Sequence, residues 1–324
     1  MTQRIQVSRG LDLPIDGVPS GEVRDGAAVR RVAILGDDFV GMKPTMAVRE
    51  GDDVVLGQEI FSDKKTPGVI YTSPATGKIA AIHRGARRAL QSVVIEVSGA
   101  GNEGQITFDD CKSKGVDDFS SDDVRQHLVT SGLWVALRVR PYSRVPAPAE
   151  TARSIFVTAI DTRPLAVDPQ VAWKEHRSDF ELGLRVLSKL TEGKIFLCKA
   201  PNSEISAAGV SRVEEVEFGG PHPAGLPGTH IHFLDPVGPN KSVWHVGYQD
   251  VIAFGKLYST GSLWVDRIVS VAGPAAKEPQ IVRTRLGAST EDLTTGGLKD
   301  GEVRVVSGSV LSGHPAAGPL AFLG

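Results

Sequence analysis

The stretch from residue 154 to residue 198 places the tightest limit on what this chain can fold into. Ser154-Ile155-Phe156-Val157-Thr158-Ala159-Ile160 reads as a buried strand. Phe180, Leu184 and Leu187 then fall on one helical face, and Lys194-Ile195-Phe196-Leu197-Cys198 is a second apolar run. Near-continuous apolar strands suit a sheet covered on both faces, and parallel neighbours need a crossover helix. The spacing therefore predicts a βαβ unit in a mostly parallel sheet. Upstream, Ser121 before Asp122 and Asp123 marks a helix start, because a hydroxyl and two carboxylates meet unpaired amides at the positive helix end. Val124, Leu128, Leu133, Trp134 and Leu137 carry that helix's apolar stripe.

On either side of this centre the texture changes. The 36 Gly and 20 Pro are spread along all 324 residues, which predicts many short strands and few long helices. From 32 to 97, short apolar runs broken by Gly and Pro predict a small β-sandwich or barrel, and 99–104 reads as a linker. From about 259, strands at 265–271, 280–286 and 303–306 surround a short helix capped by Ser289, a small β-grasp-like α+β unit. The expectation is a mixed α+β and α/β multidomain chain. It comprises a β-rich barrel-sandwich domain over 1–105, a Rossmann-like βαβ domain without a flavin motif over 106–258, and a β-grasp-like domain over 259–324. The apolar end at 320–324 lacks a closing element and reads as an incomplete C-terminus.

Charge and cysteine count narrow the function. With 36 Lys+Arg against 38 Asp+Glu and a net charge of −2, the chain lacks the cationic excess that nucleic-acid binding draws on. Two cysteines, Cys111 and Cys198, cannot build a disulfide framework, a four-thiolate zinc site or an iron–sulfur cluster. The start shows no apolar leader, so the cytoplasm is expected, and no apolar window reaches membrane-spanning length. There is no G-x-G-x-x-G, P-loop, H-E-x-x-H, C-x-x-C or G-x-S-x-G, so no catalytic residue is assigned and ordinary dinucleotide binding is not expected.

Four segments remain as candidates for chemistry. The Gly- and Pro-rich run PHPAGLPGTHIHF at 221–233 can press its backbone against a ligand or partner. If 229–233 is a strand, His230 and His232 share a face. A metal there would need a third ligand such as His222 or His245; the alternatives are a structural loop, or polar contact to a quinone or a neighbouring subunit, and no metal site is assigned. Arg138, Arg140 and Arg144 suit anionic ligands or acidic partners, or else a solvated helix end. Asp161-Thr162-Arg163-Pro164 follows the first βαβ strand, where open α/β sheets place ligands, or is a turn with Asp161 bonding its own backbone. Ser62-Asp63-Lys64-Lys65 resembles the turn of a lipoyl-carrier domain, with an ordinary charged hairpin the better reading.

The longer strings RGLDLPI at 9–15, VGMKPTM at 40–46, LQSVVIEV at 90–97, the 221–233 loop, YQDVIA at 248–253 and SGSVLSG at 307–313 together resemble the NqrA family, the A subunits of the bacterial Na+-translocating NADH:quinone reductase. The likeness runs through the whole chain, in order. It implies a peripheral subunit on the cytoplasmic face of the inner membrane, within a complex that oxidises NADH, reduces ubiquinone and exports Na+. The NqrA subunit is associated with quinone, while NADH, flavins and the iron–sulfur cluster are handled by partners, among them the quinone-side membrane subunit. The family's own chains continue past residue 324, which implies C-terminal truncation. A more distant likeness is to the flavoprotein subunit of respiratory complex I, whose third domain is a ligand-binding β-grasp of the SLBB type. Segments 134–142 and 161–164 would occupy its flavin site, but they carry Trp and Arg where a flavin needs close backbone approach. The expectation is therefore no bound flavin and no covalent cofactor, with ubiquinone as substrate of the complex. His230, His232, Phe233, Trp244 and Tyr248 are the candidate quinone contacts. Arg138, Arg140, Arg144, Asp161 and His222 are the candidate partner contacts. The alternative is a soluble flavin-dependent oxidoreductase.

Overall fold

The structure, a computed structural model, describes residues 3–324. It opens with two short strands, β1 (Gln3–Gln6) and β2 (Arg24–Asp25). The next seven are β3 (Arg31–Leu35), β4 (Pro44–Met46), β5 (Asp53–Val54), β6 (Glu59–Asp63), β7 (Ile70–Thr72), β8 (Gly77–Arg84) and β9 (Leu90–Val97). They form two small antiparallel sheets ordered β3-β9-β8-β5 and β4-β6-β7. The start of β8 shows why: Gly77 and Ile79 are buried while Lys78 and Ala80 are exposed, the period-two alternation of a half-buried strand. Val32, Ile60, Phe61, Ile79, Val93 and Ile95 fill the space between the two sheets.

The central unit contains α1 (Ser121–Thr130), β10 (Arg138–Arg140), β11 (Ile155–Ala159), α2 (Gln170–Glu175) and α3 (Arg177–Ser188). It continues with β12 (Ile195–Lys199), β13 (Val213–Gly219), α4 (Pro227–Leu234), β14 (Val243–Gly247) and α5 (Tyr248–Thr260). Its sheet runs β1-β13-β12-β11-β14-β10, parallel except for β10. The expected βαβ unit is β11, α3 and β12, and Phe180, Leu184 and Leu187 are fully buried. Helices α3 and α5 share one cluster with Ile155, Val157, Leu197, Trp244 and Val246. Phe156, Phe196, Val216, Phe218 and Val243 form the other cluster with Ile231 of α4. The sheet is thus sandwiched between α3 with α5 on one face and α4 on the other.

The third unit holds β15 (Asp266–Val271), β16 (Gln280–Arg285), α6 (Thr290–Thr294), β17 (Val306–Ser307) and β18 (His314–Pro315). Ser289 caps α6 through the Asp292 amide, as expected, whereas of the 303–306 run only Val306 is in a strand. Long-range pairings tie the units together. The opening segment, expected within the β-rich domain, sends β1 alongside β13 and β2 alongside β16. Buried Asp292 accepts the Arg30 and Arg31 amides at 2.9 and 3.3 Å and the Arg30 guanidinium at 2.9 Å. Burial alone would raise its pKa; these donors override burial and hold the carboxyl below its usual range.

Three local expectations are corrected. The cap of α1 is Ser120, which forms a reciprocal capping box with Asp123, so the helix begins at Ser121 instead of being capped by it. The helix does not carry the stripe on to Leu137, because Gly132 takes φ +78° and turns the chain into a short 3-10 segment. Residues 229–233 lie in a helix. Pro227 sits at its start, where a missing N–H costs nothing, so the His-Ile-His alternation is not a strand period.

Candidate functional site

The strand order reverses at β11, since β12 and β13 build outward on one side and β14 returns on the other. Such a switch point leaves a crevice at the carboxyl ends of the two strands, and here the third unit roofs it. The resulting cavity is about 970 Å³ and is lined by Asp38, Asp161, Leu165, Tyr248 and Ile268, among others. Two of its charged groups, Asp161 and Arg163, pair with each other, whereas Asp38, Glu302 and Arg304 also line it. Asp161 accepts the Arg163 amide at 2.9 Å and its guanidinium at 3.0 Å, so the turn that bonds its own backbone is present. Arg267 bonds Asp250 at 2.9 Å. Tyr248 accepts from Gln249 at 3.3 Å, and burial pushes its pKa up, so it stays a phenol. Asp38 is raised too, by burial first, against the pull of His314 and Arg138.

A second, smaller pocket of about 330 Å³ lies where the β6–β7 hairpin meets the loop after β10. Phe39, Met42, Tyr71 and Val145 supply its apolar and aromatic side chains, but more of its exposed wall is polar than apolar, with Asp63, Thr66, Lys65 and Arg144 around them. Asp63 shapes the hairpin turn by accepting the Lys43 and Lys65 amides, each at 2.9 Å. Lys64 and Lys65 lie on this turn, the arrangement of a charged hairpin. The Val139 amide bonds the Arg144 carbonyl at 2.7 Å, which folds the post-β10 loop back and brings Arg144 to the pocket. Tyr71 is stacked on Phe61 at 4.5 Å and meets the edge of Phe39 at 4.6 Å. Its hydroxyl is buried without a protein partner among the described residues. Burial, reinforced by Asp63, pushes its pKa well above the usual value, so it remains protonated.

The candidate residues distribute over several places. His230 and Trp244 are both fully buried but on opposite faces of the sheet: His230 reaches from α4 onto Phe218, and Trp244 meets Trp134 edge-on at 5.6 Å beneath α5. His232 and Phe233 are exposed on the last turn of α4. Tyr248 and Asp161 line the large crevice, and Arg144 the small pocket. The five expected quinone contacts therefore do not converge on one slot. Their sequence proximity misleads because α4 turns His230 inward and His232 and Phe233 outward, while β14 sends Trp244 to the opposite face of the sheet. His222 bonds Thr162 at 3.1 Å and, through its amide, Asp12 at 3.1 Å, which pins the 221–226 loop over the sheet's end. Arg138 and Arg140 belong to a strand, not to a helix end; Arg138 lies over Phe39 at 5.1 Å and bonds the Asp38 carbonyl at 3.4 Å. Sequence reasoning missed Tyr71, Phe39 and Met42. The strings VGMKPTM and Val69-Ile70-Tyr71 are visible in the sequence, but nothing in their spacing joins them.

Among the described residues, no group of three or more His, Cys, Asp or Glu side chains is placed to hold a metal ion. Both cysteines are free and buried. No helix among those residues is long and apolar enough to cross a membrane.

Comparison with known proteins agrees with this three-unit arrangement. Residues 5–98 match the NqrA N-terminal barrel-sandwich hybrid domain, 119–263 the NqrA second alpha/beta domain, and 268–318 the NQRA C-terminal domain of SLBB type. The A subunit of the Na(+)-translocating NADH-quinone reductase of Pasteurella multocida is 56% identical over 320 residues, covering 99% of this chain and 71% of that protein. Those of Histophilus somni and Saccharophagus degradans are 54% and 55% identical over the same shares. A chain of an NAD+-reducing [NiFe]-hydrogenase is similar at a TM-score of 0.43 and 16% identity, covering 64% of this chain and 46% of that one, too weak a likeness to add to the family matches. The chain belongs to the NqrA family, the A subunits of the Na(+)-translocating NADH-quinone reductase.

Proposed function

We propose that this subunit of the NADH-quinone reductase complex holds quinone in the small pocket between the β6–β7 hairpin and the post-β10 loop. The observation that carries this reading is the Tyr71 hydroxyl, a buried donor without an acceptor on a ring packed against Phe39 and Phe61. A quinone head needs a flat apolar slot with a few placed donors, and a buried donor left unmade is costly, so a quinone carbonyl supplies what Tyr71 lacks. Phe39, Met42 and Val145 would face the ring, and Lys65 and Arg144 would offset negative charge that develops on its oxygens during reduction. The large crevice is the poorer candidate because none of the buried side-chain polar atoms without a partner among the described residues belongs to its lining.

Redox chemistry on this reading belongs to partner subunits, the quinone-side membrane subunit first among them. Contact with the cytoplasmic face of the bacterial inner membrane is made through those partners. The chain itself binds and orients and carries no flavin. In support, Trp134 is fully buried against Trp244, and Arg138 and the Asp161–Arg163 pair fill the segments where a flavin would need bare backbone. The strand reversal at β11 supports a Rossmann-like central unit, and β15, β16 and α6 support a β-grasp-like third unit.

Titration of a ubiquinone analogue into the chain, alone and within the assembled complex, tests this. Tyr71→Phe keeps the ring and should weaken affinity about three- to ten-fold while circular dichroism stays unchanged. Unaltered affinity would remove Tyr71 and this pocket from the reading. A stoichiometric flavin spectrum from the purified chain would overturn the flavin-free assignment.

A further inference from the structure

Between the sheet and α4 lie three buried polar atoms with no protein partner among the described residues: Thr158 Oγ1 and His245 Nε2 on the strands and His230 Nδ1 on the helix. Their placement follows from register. Phe156 pairs with His245 across β11 and β14, and Thr158 lies two residues beyond Phe156, so all three share this face. Arg138 sits opposite His245 on β10, and Arg140 two residues on, so both arginines project to the same side. The Arg140 guanidinium lies 3.6 Å from where a Cβ on Gly228 would stand, beside the first turn of α4. Arg140 has no carboxylate within 4.0 Å among the described residues. The N-cap Leu226 gives α4 no side-chain acceptor, Pro227 has no N–H, and the Gly228 amide has no acceptor among those residues. A cation against a positive helix end is unfavourable unless an anion joins them.

The histidines specify the anion further. His230 is fully buried, and its Nε2 stands 2.9 Å from the Ala224 carbonyl, which must accept, so the proton is on Nε2 and Nδ1 is a bare acceptor. Burial, with Arg140, Arg138 and His230 adding to it, lowers the His245 pKa to about 3 and leaves that ring neutral. The niche thus offers a guanidinium fork, a helix amide and a hydroxyl as donors, a neutral His245 ring, and the His230 Nδ1 acceptor. We infer that this niche binds a protonated oxyanion, hydrogen phosphate. Its oxygens accept from Arg140, the Gly228 amide and Thr158, and its P–OH donates to His230 Nδ1. None of these residues lines the small pocket, so the inference is independent of the quinone reading.

Calorimetric titration of inorganic phosphate into the full chain at constant ionic strength should show saturable one-to-one binding. Sulfate, which has the same shape but no proton to donate at neutral pH, should bind about ten-fold more weakly. Arg140→Gln should weaken phosphate by about ten-fold or more, and the shape-preserving Thr158→Val by about three-fold, with circular dichroism unchanged in both. The proposal is overturned by three results: no saturable phosphate binding, sulfate binding as tightly as phosphate, or phosphate affinity unmoved by both substitutions.

Discussion

The two faces of the central sheet are built on opposite principles. Beneath α3 and α5 the packing is apolar and close. A Cβ on Gly183 would stand 1.9 Å from the Val251 carbonyl oxygen, and one on Gly255 1.8 Å from that of Asp179, so glycine at both positions lets the helix backbones touch. The Trp244 indole N–H is the one sheet side chain on that face left without a partner among the described residues. On the other face, α4, a single helix of eight residues, turns its own His230 towards the sheet and covers Thr158 and His245, each of the three with an unsatisfied atom. Leaving such groups unpaired costs on the order of 1–3 kcal/mol apiece. One face therefore supplies stability, and the other gives some of it up to keep polar groups in place.

That contrast can be broken or sharpened by measurement. Phe180→Ala, on the apolar face, should cost about 4 kcal/mol in denaturant unfolding. A loss under about 1 kcal/mol would mean that α3 does not hold the sheet. Acid should act on the other face. His230 is lowered to about 4 by burial, partly opposed by its bond to Ala224, and His245 to about 3. Both rings take up protons more readily when unfolded. Their contribution is therefore complete above pH 6.5 and is lost as pH falls from 6.5 towards 4, on the order of 3 kcal/mol for His230 alone. Stability followed by urea unfolding across that window should fall in the wild type and flatten in a His230→Gln, His245→Gln double variant; a flat wild-type profile would contradict buried neutral rings.

Thr158→Val removes an unsatisfied hydroxyl at constant shape. In phosphate-free buffer it should raise stability by about 1 kcal/mol, the reverse of what a well-bonded threonine would do. His232→Ala, exposed two residues along α4 from His230, should change stability by less than about 0.5 kcal/mol in the same assay. Similar effects at His230 and His232 would erase the distinction between the buried and solvated sides of the helix.

What could be read from the amino-acid order was local. Continuous apolar runs gave β11 and β12, a 3.6-residue stripe gave α3, and Ser289 ahead of a short helical run gave the cap of α6. The same reasoning failed at 229–233, where a period-two pattern sits in a helix because Pro227 starts one and the sheet beneath accepts its Ile231 side. The long strings fixed the family, but they said nothing about which residues meet.

The order of residues by itself determined the three textures and the parallel strands, because each depends on periodicity or composition within a short window. Only the tertiary structure decided that Tyr71 shares a pocket with Met42 and Arg144, and that His230 of α4 faces the sheet side carrying Thr158 and His245. Those meetings depend on strand order, on which face each side chain takes, and on the turn that folds Arg144 back. All three are settled by how the sheets bury their apolar sides against one another, over separations that no local pattern spans.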